Sequence, residues 1–425
     1  MTTDCLERAH ALEPKLKAFV TLDETGALAG ARALTDELAQ SPPRSPLHGI
    51  PLGIKDLIDV AGLPTTASSK ILAGTVAAAD APVVERLRRG GAVVLGKTNT
   101  QEFAYGVVSA PTRNPWDLGR IPGGSSGGSG AAVAAGLCPG ALGSDTAGSI
   151  RIPAALCGIA GLKPAPGAVP LEGIVPLAPS LDVCGPMARS AEDVALLWGV
   201  LAGAPPVKVP EPHRLKVAAP ADLTAVAEPE PEVTAAVEAA IGSLVAAGAR
   251  RVPVSMPPFS LWDRPRSVAL MTEALLVHKA AGWYPDRAAD YSEETLDNLR
   301  LAETFSAAEL MTAHGELEDL TTLLIGALDA ADVLALPTVP IQAPTVDEAA
   351  RRGEGGRRPV VRVLTRICGP VNWCRLAAVS VPCGFTEAGL PIGMQFVARA
   401  ETAALEAALL YQSLTDFHTR RPPLP

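Results

Sequence analysis

Aromatic side chains are scarce in this chain, at 4% of 425 residues, although 48% of the residues are hydrophobic. A core of this composition has to be filled by aliphatic and alanine packing rather than by large rings. Cysteines are few and show no pairing pattern. The seven (Cys5, Cys138, Cys157, Cys184, Cys368, Cys374 and Cys383) are odd in number and form no CxxC. That excludes a disulfide framework and fits a reducing compartment, so a cytoplasmic location is expected. The six histidines are dispersed without an HxH or HxxxH pair, which speaks against a metal site. No uninterrupted apolar run reaches the roughly 18 residues of a membrane helix, and the N-terminus lacks a basic region followed by an apolar one. Neither a membrane span nor a signal peptide is expected. Positive charge is also short: 36 Lys and Arg face 45 Asp and Glu, for a net charge of −9. This balance argues against nucleic acid or an anionic membrane as partner and leaves a small molecule.

What the chain does have is alternation of strand-like and helix-like segments, which argues for an α/β layer architecture. Residues 3 to 40 read as two amphipathic helices. Ile50, Leu52 and Ile54 alternate in strand fashion up to Lys55, and residues 92 to 95, 215 to 218, 333 to 336, 378 to 381 and 394 to 397 read as buried strands. Residues 80 to 89 and 131 to 136 read as helical, and Ser190 and Asp193 have the spacing of a helix start. The proline-rich stretch 205 to 231 looks like a surface connection rather than a domain break. Residues 264 to 328 read as helical, with a capping box at Ser306 and Glu309 and a core stripe from Leu310 to Leu328. A single domain over residues 1 to 425 is expected, with a motif-rich core at about 47–200, a helical region at about 256–330 and core strands at about 331–400.

Two serine-bearing glycine loops carry the chemistry. One runs from Gly123 to Ser129 and the other from Gly143 to Ser149, and Lys55 stands upstream. Serine needs a base to take its proton, and glycine-rich backbone lets several N–H groups converge on a developing oxyanion. A serine, a base and free amides are the parts of an acyl-transfer site. A rival motif fails on context. Residues 91 to 98 fit GxxxxGK[ST] letter for letter, but the interior Ala-Val-Val-Leu is itself a strand and a helix precedes it, whereas a phosphate loop follows a strand. His48 reads as a structural hydrogen-bonding residue. A Ser-His-Asp triad stays open at this level, because its members assemble in space, but neither loop forms a GxSxG elbow.

The segments IPGGSSGGSGAAVAAG, GSDTAGSIRIPAALCGIAGLKP and SLDVCGPMARSAEDVALL, with HGIPLGIKDLIDVAGLPTTASS and GGAVVLGKTNTQEFAYG upstream and DVLALPTVPIQAP and SVPCGFTEAGLPIGMQFVA downstream, resemble the amidase signature family of Ser-Ser-Lys amide hydrolases. The resemblance is close over about 47 to 200 and 330 to 400. It implies a mixed, twisted central sheet with helices on both faces, and an N-terminus one helix shorter than is usual. It also implies Lys55 as base, Ser125 after a cis peptide bond as proton relay, and Ser149 as nucleophile. The amides of Thr146, Ala147, Gly148 and Ser149 would form the oxyanion hole, with no cofactor. Ser126, Asp145 and Arg151 would support the loops, Ser129 would cap a helix, and Gly124, Cys184 and Arg375 would lie at the substrate. Asp56 is expected to point away from Lys55, so that burial can leave the amine neutral.

Ala147 stands where many members carry glycine, which is tolerated at negative φ. In the segment Asn372–Ala378, Arg375 replaces a glycine and Ala377 a proline. With the six arginines between 351 and 366, otherwise read as a solvated run, Arg375 suggests a clamp for a small polar or acidic amide. The implied function is hydrolysis of a small-molecule amide through an acyl-enzyme, the protein being a possible homodimer. Three alternatives remain: a carbamate or ureide hydrolase, the ammonia-releasing A subunit of a glutamyl-tRNA amidotransferase, and a non-catalytic binder. The short chain and the altered 372–378 segment count against the second, and the intact Lys55, Ser125 and Ser149 against the third.

Overall fold

The computed structural model describes residues 1–353 and 358–424. Eleven strands form one mixed sheet: β1 (Phe19–Leu22), β2 (Pro51–Lys55), β3 (Val93–Thr98), β4 (Gly140–Asp145), β5 (Ala160–Lys163), β6 (Val183–Ala188), β7 (Lys216–Pro220), β8 (Arg250–Val254), β9 (Val333–Pro337), β10 (Ala377–Phe385) and β11 (Pro391–Ala398). Their order is β1-β3-β2-β4-β6-β5-β10-β11-β9-β7-β8. Strand β2 runs parallel to β3 and β4, and β7 runs parallel to β8 and β9; the remaining neighbours are antiparallel.

Successive strand side chains point to opposite faces, so each strand feeds two cores. Leu52, Ile54, Val94 and Leu142 join one cluster, with the helices Ala191–Ala202 and Glu401–Ser413. Val93, Leu95 and Ala141 join another, with the helices Thr2–Leu16 and Gly127–Ala134. The sheet is therefore covered by helices on both faces, as expected. Alanine supplies much of the packing, including Ala131, Ala132, Ala404, Ala407 and Ala408, all fully buried.

Local differences have simple causes. Between the two expected N-terminal helices lies β1, which pairs antiparallel with β3 through Phe19 and Thr98. The helix after the first serine loop begins at Gly127 rather than Ala131, and Ser126 occupies its cap position without a side-chain cap. Ser129 is thus inside the helix and is no cap: its hydroxyl bonds Thr98 Oγ1 at 2.7 Å and donates to Leu142 O at 2.9 Å. Residues 93 to 98 of the rejected phosphate-loop match are strand β3. Lys97 is fully buried there, donating to Pro64 O at 2.8 Å and Thr65 Oγ1 at 2.9 Å, and lying 3.2 Å from Asp56. His48 is a structural residue, its ring meeting Leu34 O at 3.0 Å and Arg44 N at 3.2 Å.

The helices Asp263–Ala280, Glu293–Ala302 and Ala307–Gly326 fill the expected helical region. Ser306 and Glu309 form the capping box of the last, and Ala313, Leu317, Leu320 and Leu324 are its buried stripe. Leu317→Ala should destabilise the fold by about 2–5 kcal/mol, because it leaves a cavity at a fully buried site. Leu323→Ala, in the same helix and 55% exposed, should stay within about 0.5 kcal/mol. Denaturant midpoints of the two variants check this; equal shifts would mean that the stripe is not the packed face.

Candidate active site

Strands β2 and β4 run parallel with Ile54 opposite Leu142, so their C-terminal ends emerge side by side. Lys55 ends β2, while Ser144 and Asp145 end β4. The Lys55 amine is fully buried, donating to Ser125 Oγ at 2.7 Å and to Ser144 Oγ at 2.8 Å. Burial lowers its pKa to about 7, against the opposing pull of Asp145, Asp182 and Cys184. Asp56, the next residue, turns to Lys97 instead. A second buried lysine, Lys163, is also lowered to about 7, by burial and then by Arg151. It donates to Pro164 O at 2.7 Å and meets no serine.

The first serine loop carries a cis peptide bond between Gly124 and Ser125. The loops are tied together: Ser126 N donates to Ser149 O at 3.1 Å, and the Ser126 hydroxyl to Ser144 O at 3.2 Å. Gly124 packs against the chain at Val107 and Ser109, where a Cβ would come within 2.6 Å of Ser109 Oγ.

The second loop is organised by one carboxylate. Asp145 accepts from the amides of Gly148 at 2.7 Å, Ile150 at 3.1 Å and Arg151 at 3.4 Å. It also accepts from Arg151 Nε and Nη2, each at 3.1 Å, and from Asn372 Nδ2 at 2.9 Å. Burial would raise this carboxyl, but Arg151, Lys163 and Asn372 outweigh it and hold the pKa at about 2. Arg151 is pinned in turn by Gln395 Oε1 at 2.8 Å, Cys368 O at 3.0 Å and Asn372 Oδ1 at 2.6 Å. Asn372, Gln395 and Cys368 were not among the expected residues; Asn372 could have been found as the fixed first letter of the altered C-terminal motif.

Because its N–H is given to Asp145, Gly148 does not present the amide expected of it. Among the described residues, the amides of Thr146, Ala147 and Ser149 have no hydrogen-bond partner, and these three residues line a cleft of about 90 Å³. Ser149 Oγ likewise has no partner there. Ala147 has no positive φ, whereas Gly148 has φ +122° and no room for a Cβ, which would meet Cys368 at 2.6 Å.

None of the three expected substrate residues lines the cleft, Gly124 included. Cys184 is buried on β6 opposite Ser144, its thiol pushed up to about 12 by burial, and it does not line the cleft. Arg375 is exposed at φ +58°, its guanidinium 3.5 Å from Ser180 O, and it too is outside the lining. A residue after a helix end in the left-handed region points where the turn sends it, not where the replaced glycine stood. The arginine run 351–366 falls partly outside the described residues. Within it, Arg352, Arg358 and Arg366 pair with Asp297, Glu294 and Glu228, and Arg362 reaches the cleft. Asp182, also unexpected, bonds the Thr146 hydroxyl and the amides of Leu177 and Ala178, and burial raises it to about 6.

The family model described as Amidase matches residues 1–403. The chain belongs to the Amidase family. Membership makes it a hydrolase acting on carbon–nitrogen bonds. It is 40% identical to the A subunit of glutamyl-tRNA(Gln) amidotransferase from Roseiflexus castenholzii, over 99% of this chain and 93% of that one. Among solved structures it is similar to one described as a vestigial protein complex revealing the origins of an s-triazine catabolic enzyme, with TM-score 0.87 and 32% identity over 97% of this chain and 94% of that one. It is also similar to the A subunit of glutamyl-tRNA(Gln) amidotransferase from Thermotoga maritima, with TM-score 0.78 and 31% identity over 96% and 90%. These relatives overturn the expectation of a small-molecule-only protein without nucleic acid or companion subunits. They are named as one subunit of an enzyme that is itself named for a tRNA. Net charge misled because it averages over the surface and is blind to a patch or a partner. Among the described residues no helix is long and apolar enough to cross a membrane.

Removing Arg151 would strand the buried Asp145 charge. Arg151→Met should cost about 3–5 kcal/mol in denaturant unfolding. A loss below about 1 kcal/mol would mean that the loop amides alone hold the carboxylate.

Proposed function

We propose that this chain cleaves an amide bond through an acyl-enzyme on Ser149. The observation that carries this reading is the neutral-prone Lys55 amine, held 2.7 Å from Ser125 Oγ beneath the loop that turns Ser149 into the cleft. Lys55 takes the Ser125 proton as Ser125 takes that of Ser149. Ser149 Oγ attacks the carbonyl, and the free amides of Thr146, Ala147 and Ser149 receive the oxyanion. The proton returns through Ser125 to the leaving nitrogen, and water then releases the acid by the same relay. Ser144, the second partner of Lys55, fixes the amine between the two loops. Lys163 is not suited to be the base, since it reaches no hydroxyl.

Within this chemistry the relatives favour a narrower reading. The amide would be that of glutamine, and the chain would act as the A subunit of a glutamyl-tRNA(Gln) amidotransferase. What supports it is 40% identity across 99% of the chain. Ammonia release from glutamine, measured with and without glutamyl-tRNA and a companion subunit, tests it; no glutamine turnover under either condition sinks it.

Ser149→Ala should lower kcat by at least about a thousandfold with the fold intact. A fluorophosphonate should label Ser149, and labelling of Ser125 or Ser126 instead would overturn the assignment. The pH dependence has a definite sign. Only neutral Lys55 accepts a proton, so kcat/KM should rise with pH and level off above about 7. On the acid side the slope should be about tenfold per pH unit. Lys55→Met should be inactive across the range; a variant that kept the limb would place the base elsewhere.

A further inference from the structure

Strand β4 ends at Asp145 and β6 begins at Val183, and these two residues face each other across the antiparallel ladder. One step beyond the ladder, the same register sets Thr146 across from Asp182. The two side chains meet: the Thr146 hydroxyl donates to Asp182 Oδ1. The other carboxylate oxygen accepts from the amides of Leu177 at 2.9 Å and Ala178 at 3.0 Å. Thr146 and Leu177 line the cleft of Ser149, and both also line an adjoining cavity of about 250 Å³ to which Asp182 and Ser144 belong. Asp182 thus stands behind the wall of the cleft and ties the second serine loop to segment 177–178.

The peptide group between Asp145 and Thr146 is thereby gripped at both ends. Its carbonyl accepts from Asn372 Nδ2 at 3.0 Å, and its Thr146 end is held through the side chain by Asp182. In a trans peptide the N–H points opposite to the carbonyl, so the Thr146 amide is directed away from Asn372. The Asp145 carboxylate takes the amides of Gly148, Ile150 and Arg151 and not this one. Thr146 has left the ladder, and no backbone hydrogen bond fixes its amide among the described residues.

We infer that Asp182 is a positioning residue for acyl transfer at Ser149: through the Thr146 hydroxyl it holds the Thr146 amide in the direction that receives the oxyanion. This role rests on the amide-cleaving reading of Ser149. A hydroxyl-to-carboxylate bond is charge-assisted and therefore a firm tether. An oxyanion donor stabilises the transition state only if its direction is set before the charge develops. The carboxylate also touches the base through space. Among the described residues, the charged groups that act on it or feel it are Lys55 on β2 and Glu273 on the helix Asp263–Ala280. The Cys184 thiol, two residues further along β6, is pushed up to about 12 by burial and stays neutral. Burial raises Asp182 to about 6, so it is charged at the pH where Lys55 loses its proton. The tether and the charge are separable, because the first passes through Thr146 and the second acts on Lys55.

The rate at which a fluorophosphonate labels Ser149 in the full chain tests this whatever the natural amide. Ser149 Oγ bonds phosphorus, fluoride leaves, the serine proton passes through Ser125 to Lys55, and the phosphoryl oxygen takes the oxyanion's place. Thr146→Val keeps the shape and removes the tether. Its maximal labelling rate should fall about tenfold or more, with the half-saturating concentration within about threefold. Thr146→Ser, which restores the hydroxyl, should recover most of that rate. Asp182→Asn keeps the tether and loses the charge: Nδ2 donates to Thr146 Oγ1 while Oδ1 accepts the two amides. It should slow labelling less than Thr146→Val does. It should also move the acid limb of the rate to lower pH, because Lys55 loses a neighbouring negative charge. A purely structural role would lower the denaturant midpoint and leave the maximal rate of the folded protein and the limb where they were. Labelling of Thr146→Val at the wild-type rate would overturn the positioning role alone, as would a loss that Thr146→Ser does not recover. A wild type that is not labelled at Ser149 would overturn the amide-cleaving reading itself, and the positioning role with it.

Discussion

The buried carboxylate of Asp145 is the constraint on which the site depends. One side chain collects three backbone amides of the turn that follows it, and it binds Arg151 through two nitrogens. An isolated buried charge is prohibitive, so the contact forces Arg151 to be present, oriented and fully dry. Arg151 then reaches Gln395 on β11 and the Cys368 carbonyl, and Asn372 closes the circuit by binding both Asp145 and Arg151. A short loop is thereby locked to strands far away in sequence. The conformation left over by this network is the one that leaves the amides of Thr146, Ala147 and Ser149 without a partner among the described residues, in a loop that lines the cleft.

The same charge acts on Lys55. Burial drives the amine toward neutrality, while Asp145 and Asp182 pull it back toward the ammonium. Burial outweighs both, and the amine lies near 7, while Asp56, the adjacent acid, is turned to Lys97. The Asp56–Lys97 pair is thus more than ballast in the core. It gives the acid next to Lys55 in the chain a cation of its own.

Much of this was legible in the sequence where residue type is dictated by chemistry or by backbone geometry. Lys55 and Ser125 were singled out because few side chains suit an acyl-transfer site, and they do meet at 2.7 Å; Gly148 was expected to offer its amide to an oxyanion, but that amide is given to Asp145. The sheet was visible where alternation is clear, as at β2, or where a short apolar run is continuous, as at β9, β10 and β11. The edge strands β1 and β8 gave no such pattern, being four or five residues long with mixed burial, and β5, central and fully buried over four residues, offered no alternation to read. Ser144 was passed over because nothing local distinguishes a structural serine from one aimed at a lysine 89 positions away. Arg375 was misplaced for the converse reason. A motif position tells where the backbone runs, and a change from glycine to arginine adds a long arm whose direction the motif never specified. The expectation built on net charge failed in its own way, since a sum over 425 residues cannot speak for one face or one companion.

The division between what motifs reveal and what they hide follows the division of labour in the molecule. The proposed relay, nucleophile and oxyanion donors all come from β2, β4 and the two loops that follow one another between residues 123 and 149. The chemistry allows little variation there, so the text is distinctive. The cleft's far wall comes from helices at 263–280 and 359–365, whose sequence only has to satisfy helix periodicity and a local core. Such a segment can exchange one cleft-facing residue for another without disturbing the sheet. Arg266 and Thr365 are coupled by a hydrogen bond across 99 positions, and Arg266 packs over the bare backbone of Gly369. That coupling is invisible to any reading along the chain and immediate once the helices are packed. The motifs are therefore written into the loops, and the cleft's far wall into the packing of helices that carry no motif at all.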